Sequence, residues 1–222
     1  MNQSSDMRNE IESCIQKFII EEFQKYPRDF IKEEDTRAVL FTRLKDCLKE
    51  NRRKIQPEKL PLYQNEIEFD MDLVKCEYSY ENYQGKICNA FDIAILHKEE
   101  NVWIGKDNWE KYHHPKSRKA QMYWNQPVRF GLEIKSVWHN WEADKRISGV
   151  KSDSKKLQDY LKSNYCSQNF KDENGYPFQF EGAALLFASH EIYHECFLES
   201  RVEVDKNCFP YCITPTKIYR IQ

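Results

Sequence analysis

The chain carries almost no net charge. Its 34 Lys and Arg stand against 36 Asp and Glu, a formal charge of -2. That excludes attraction of nucleic acid by the molecule as a whole, so a polyanionic partner must be met by a local patch. No apolar run approaches the roughly 20 residues needed to cross a bilayer. The longest, Ala183 to Ala188, is only strand-length. Met1 to Glu10 is polar and lacks the apolar segment of a signal peptide, which predicts a cytoplasmic protein with no membrane partner. The eight cysteines, at 14, 47, 76, 88, 166, 196, 208 and 212, form no Cys-x-x-Cys module. Reduced thiols are expected rather than a disulfide framework. There is no internal repeat and no low-complexity tract.

What the chain does have is apolar and aromatic bulk. It is 40% hydrophobic, with thirteen Phe, thirteen Tyr and five Trp, enough for one aromatic-rich core over residues 1–222. Ile11, Cys14, Ile15, Phe18, Ile19 and Phe23 recur at helical spacing, which predicts a helix over 8–25 that Pro27 stops. A second helix follows, with a stripe of Ala38, Phe41, Leu44 and Leu48, Leu40 beside it, and Glu33, Glu34 and Asp35 in its first turn. Residues 67–74 alternate as a half-exposed strand. Strands are expected at 86–96, paired through a hairpin turn near 82–85, and at 128–137. Between them, about 97–128 reads as an insertion in which Trp103, Trp109, Tyr112, Tyr123 and Trp124 interleave with Lys106, Lys116, Arg118 and Lys119. Such a mixture either stacks bases and meets phosphates or forms a small satellite core. Gly149 to Asp153 reads as a loop before a helix that buries Leu157 and Leu161. Ala183 to Ala188 is continuous and apolar, as a strand buried on both faces is. A helix over 190–201 and two short extended pieces follow. The order predicts an α/β fold with a central mixed sheet flanked by helices.

Two of these strands carry charge where an apolar residue would serve. One is Phe91-Asp92-Ile93-Ala94-Ile95-Leu96 and the other contains Glu133-Ile134-Lys135. If the strands are neighbours, Asp92, Glu133 and Lys135 come within reach of one another. Two carboxylates and the Ile134 backbone carbonyl make an all-oxygen shell suited to Mg²⁺ or Mn²⁺. Lys135 would orient a water or neutralise a phosphoryl transition state.

These residues resemble the PD-(D/E)xK nuclease superfamily, the restriction-endonuclease-like fold. Phe91 stands where the proline of the superfamily's name would be. The resemblance covers most of residues 30–190. It implies metal-dependent hydrolysis of a nucleic-acid backbone, DNA before RNA, by an endonuclease that works alone or as a homodimer. It also implies an acidic residue on the preceding helix. Glu34 is the choice, because Ala38 and Phe41 would put it on a packed face, and Glu33 is nearly as good. Lys155 and the basic residues of the insertion are candidates for phosphate contacts.

Two other readings compete. A member of the same fold that has lost activity would bind nucleic acid or protein without cutting. His190-Glu191-Ile192-Tyr193-His194 matches H-E-x-x-H, which on a helix sets two histidines one turn apart for zinc, with Glu191 as general base of a peptidase. Ser189 would cap that helix. Cys208 and Cys212 would be buried thiols, or ligands of a structural zinc with one of those histidines.

Overall fold

The computed structural model describes residues 3–51, 53–55, 69–78, 90–97, 128–161, 180–199 and 207–220. The helices are α1 (Gln3–Phe18), α2 (Glu33–Cys47), α3 (Ala143–Leu161) and α4 (Ile192–Glu199). The strands are β1 (Arg53–Ile55), β2 (Phe69–Met71), β3 (Val74–Tyr78), β4 (Phe91–Leu96), β5 (Val128–Val137), β6 (Glu181–Ala188), β7 (Cys208–Ile213) and β8 (Ile218–Arg220). Strands β1 and β2 form a small antiparallel pair. The other six form one sheet in the order β3-β4-β5-β6-β7-β8. Its centre, β5-β6-β7, is parallel; β3-β4-β5 and β7-β8 are antiparallel. The fold is therefore α/β, a mixed sheet flanked by helices.

The parallel centre follows from the connections. Helix α3 crosses from β5 to β6, and α4 from β6 to β7. A strand covered on both faces has no use for alternation, and β5 and β6 are buried almost throughout. Leu157 of α3 lies so close to β6 that a Cβ on Gly182 would come within 2.8 Å of its Cδ2. On the opposite face Phe187 meets Phe18 and Phe23, with ring centroids 6.0 and 4.9 Å apart. These rings belong to α1 and to a π turn, Ile19–Phe23, that continues it, so the expected first helix is present and ends before Pro27.

Three elements differ from expectation. Helix α3 runs without a break through Gly149 to Asp153, where the sequence suggests a loop. The packed stripe of α2 is Thr36, Leu40, Leu44 and Leu48, all buried, whereas Ala38 is exposed. The stretch read as one strand over 67–74 holds β2 and only the first residue of β3, with a pairing change at Asp72 and Leu73, while 67 and 68 lie outside the described residues. The hairpin turn near 82–85, the start of the expected 86–96 strand, and the insertion from 98 to 127 lie outside the described residues. So do Lys106, Lys116, Arg118 and Lys119. Among the described residues no helix is long and apolar enough to cross a membrane.

Candidate active site

Glu133 and Lys135 sit in the middle of the sheet. Glu133 is 2% exposed. The backbone pairing of β4 with β5 runs from Ile93↔Leu132 to Leu96↔Val128. One residue beyond it the Asp92 side chain takes over, accepting the Ile134 N–H on Oδ2 at 2.7 Å. Its other oxygen accepts from Arg37 Nη1 of α2 at 3.2 Å. Lys135 Nζ lies 3.0 Å from the Ile134 carbonyl oxygen, 3.1 Å from Asp153 Oδ2 and 3.4 Å from Glu33 Oε1. Arg146 Nη1 donates to the other oxygen of Glu33 at 3.3 Å. Lys156 Nζ donates to the Ala90 carbonyl at 2.9 Å and stands 2.5 Å from Glu133 Oε1. The last contact is a short ion pair to a buried carboxylate oxygen.

Helix α3 supplies half of this arrangement. Arg146, Gly149, Asp153 and Lys156 recur at intervals of three and four, a single helical face. It lies beside the buried stripe of Ile147, Val150, Ser154 and Leu157. Gly149 has a packing role. A Cβ there would sit 3.3 Å from Lys135 Cε and 3.4 Å from its Cδ, so the missing side chain lets the lysine stem lie against the helix.

The electrostatics follow from burial. Desolvation pushes the Glu133 carboxyl up to about 8 against the pull of Lys156, and the charge of Asp92 raises it further. Burial also raises Glu33 and Asp153, outweighing Lys135. Lys135 behaves in the opposite way to an isolated buried lysine. Desolvation pulls its ammonium down, but Asp153, Glu33 and Asp92 more than compensate, and it ends above its ordinary value. It is a cation at neutral pH, suited to donating a hydrogen bond or stabilising negative charge rather than to removing a proton.

Of the residues expected at a site, Asp92, Glu133, Lys135 and the Ile134 carbonyl come together. Glu34 does not join them: it is exposed, and Glu33 is the helix carboxylate that reaches Lys135. The reason is the phase of α2. Glu33 lies seven residues before Leu40 and three before Thr36, on the packed side. Lys155 is exposed, while its neighbour Lys156 is turned to Glu133. Arg37, Arg146, Asp153 and Lys156 are participants that a search for a D…ExK pattern does not find. The signal for three of them is the polar 146-149-153-156 spacing, hidden once Gly149 is read as a break.

Among the described residues no three His, Cys, Asp or Glu side chains stand grouped as a ligand set for a metal ion. Each carboxylate is instead held by a cation or a backbone N–H. The donor chemistry nevertheless fits a hard divalent ion: the Asp92 and Glu133 carboxylates and the Ile134 carbonyl stand on adjacent strands, all oxygen.

The H-E-x-x-H residues are not arranged for zinc. Helix α4 begins at Ile192, so His190 lies outside it and accepts the Ile192 N–H on Nδ1 at 3.2 Å. Ser189 does not cap that helix through its side chain; its hydroxyl donates to the Trp138 carbonyl. Glu191 accepts from the hydroxyls of Thr214, Thr216 and Tyr219, and His194 stacks on the Tyr219 ring. Burial would raise the Glu191 carboxyl, but those hydroxyls hold it below its ordinary value. The motif thus ties α4 to the β7–β8 turn. Cys208 and Cys212 are buried thiols of β7 that form no disulfide, and burial pushes Cys212 up to about 12.

No protein-family model and no curated protein matches the chain. Two solved structures resemble it. One is NucC of P. aeruginosa ATCC27853 in its cAAA-bound form, with 11% identity and a TM-score of 0.39 over 96% of this chain and 77% of that one. The other is NucC of E. coli MS115-1, also cAAA-bound, with 10% identity and a TM-score of 0.43 over 100% of this chain and 83% of that one.

Proposed function

We propose that this chain is a metal-dependent nuclease, a DNA endonuclease that hydrolyses phosphodiester bonds with Asp92, Glu133 and Lys135. The observation that supports this most is a lysine ammonium held within 3.4 Å of two carboxylates and a carbonyl, beside two further carboxylates on adjacent strands of the mixed sheet. Asp92, Glu133 and the Ile134 carbonyl would hold Mg²⁺ or Mn²⁺, with Glu33 taking the place expected of Glu34. When bound, the ion supplies a Lewis acid for the scissile phosphate and acidifies the attacking water. The chain's own part is positioning and charge. Lys135 donates to a non-bridging phosphoryl oxygen as negative charge builds there, and Glu33 and Asp153 aim its ammonium. Lys156 pulls the Glu133 carboxyl back toward ionisation against the burial that raises it, and a bound divalent ion would complete that ionisation. Arg146 steadies Glu33. Lys155 and the basic residues at 106, 116, 118 and 119 would meet the flanking phosphates.

The test is cleavage of circular plasmid and of a labelled linear oligonucleotide in Mg²⁺ or Mn²⁺. Asp92→Asn and Lys135→Ala are each expected to lower the rate about 100-fold or more, with the fold retained by circular dichroism at the assay temperature. Cleavage that survives both would place the activity elsewhere. The plasmid reports endonuclease action, and RNA run in parallel tests the choice of DNA.

A second reading has its own observation. Arg37 holds Asp92 and Lys156 holds Glu133, which is also how a site that no longer binds metal would be neutralised. A chain that binds DNA but takes up no Mn²⁺ in calorimetry would favour this non-cutting form.

A further inference from the structure

Trp141 is 83% exposed, the most exposed large apolar side chain among the described residues. It lies in the short turn Asn140–Glu142 that joins β5 to α3, six residues after Lys135. The turn is well anchored. Its Glu142 accepts the Trp138 N–H at 3.0 Å, and Trp138 Nε1 donates to the Phe30 carbonyl at 3.0 Å. A series of ion pairs links it to the site: Glu142 meets Arg146, Arg146 meets Glu33, and Glu33 meets Lys135. The exposed His139 ring is nearly parallel to that of Trp141, at 8° with centroids 6.1 Å apart. Lys145, one turn on, is exposed and Arg146 partly so; Asp144 is the exposed acidic neighbour.

A solvated indole on an anchored turn, with a parallel imidazole beside it, an exposed lysine four residues on and a relay of three ion pairs from its turn to the catalytic lysine, has the chemistry of a base-stacking platform. We propose that Trp141, backed by His139, stacks an unpaired nucleobase of the strand being cut, so that the substrate carries single-stranded or unpaired character next to the scissile phosphate. This rests on the nuclease reading for its purpose, but binding can be measured without cleavage. Protein partners suit such a ring less well, because the exposed Lys145 on the next turn matches a phosphate backbone.

The experiment uses full-length protein without added metal and fluorescein-labelled single-stranded DNA about 12 nucleotides long, intact or carrying abasic positions. Wild type is expected to bind the intact strand roughly tenfold more tightly than the abasic one. Trp141→Ala should lose that difference, and Trp141→Phe should restore most of it. Equal discrimination by wild type and Trp141→Ala would overturn the proposal, as would no binding of either strand. A change in oligomeric state on sedimentation, with strand affinity unaltered, would overturn it in favour of a protein interface. Trp141-dependent binding by a protein that never cuts in Mg²⁺ or Mn²⁺ would leave the platform standing and reject the nuclease. Cutting without Trp141-dependent discrimination would do the reverse.

Discussion

Glu133 is the residue whose chemistry departs furthest from its behaviour in water. Its carboxyl, raised by burial from 4.5 to about 8, keeps its proton in the folded state over a range where the unfolded chain has lost it. The folded state therefore binds more protons between those values, and stability falls as pH rises through them, by at most about 1.4 kcal/mol per pH unit. Above about 8 this contribution levels off. The raised Glu33 and Asp153 add slopes of the same sign. Denaturant unfolding at pH 5, 6, 7 and 8 checks this: Glu133→Gln should flatten the decline seen in wild type. A wild-type stability that rises over this range would show that Lys156 holds Glu133 ionised throughout.

At the scale of the element, α3 is both a structural crossover and the support of the Lys135 cluster, and Gly149 is where the two demands meet. In an isolated helix alanine is favoured over glycine by about 1 kcal/mol. Here the added methyl would crowd the stem of Lys135 at 3.3 Å, while Asp153 and Glu33 hold its ammonium. Gly149→Ala is expected to leave thermal stability unchanged or slightly raised and to lower the cleavage rate roughly tenfold. Melting curves beside cleavage rates separate the two effects. Full activity in this variant would mean that the position of Lys135 is not critical. Helix α2 teaches a related lesson. Both Glu33 and Glu34 suit a helix N-terminus, and only the packing of Thr36, Leu40 and Leu44 chooses between them.

For the whole molecule, a half-buried cluster of Asp92, Glu133, Glu33 and Asp153 interlaced with Lys135, Lys156, Arg37 and Arg146 is close to neutral. It sits within a chain of formal charge -2. A divalent ion that binds only the folded site stabilises it by mass action, about 2.7 kcal/mol at a hundredfold excess over its dissociation constant. Mn²⁺ should accordingly raise the melting temperature of wild type, and raise that of Asp92→Asn or Glu133→Gln much less. Equal shifts in all three proteins would assign the ion to another place.

Local pattern was sufficient for the α/β class, the first helix, the apolar β6, and the pairing of charges on β4 and β5. Each depends on periodicity or on a charge that stands out in an apolar strand, and both are visible along the chain. What local pattern could not decide was which of two adjacent carboxylates faces inward, whether Gly149 breaks a helix or lets a lysine pass, and whether H-E-x-x-H lies on one helical turn. Those depend on the phase in which one element packs against another. A shift of one residue on a helix turns a side chain by about 100°, and only the neighbouring sheet determines which phase is buried.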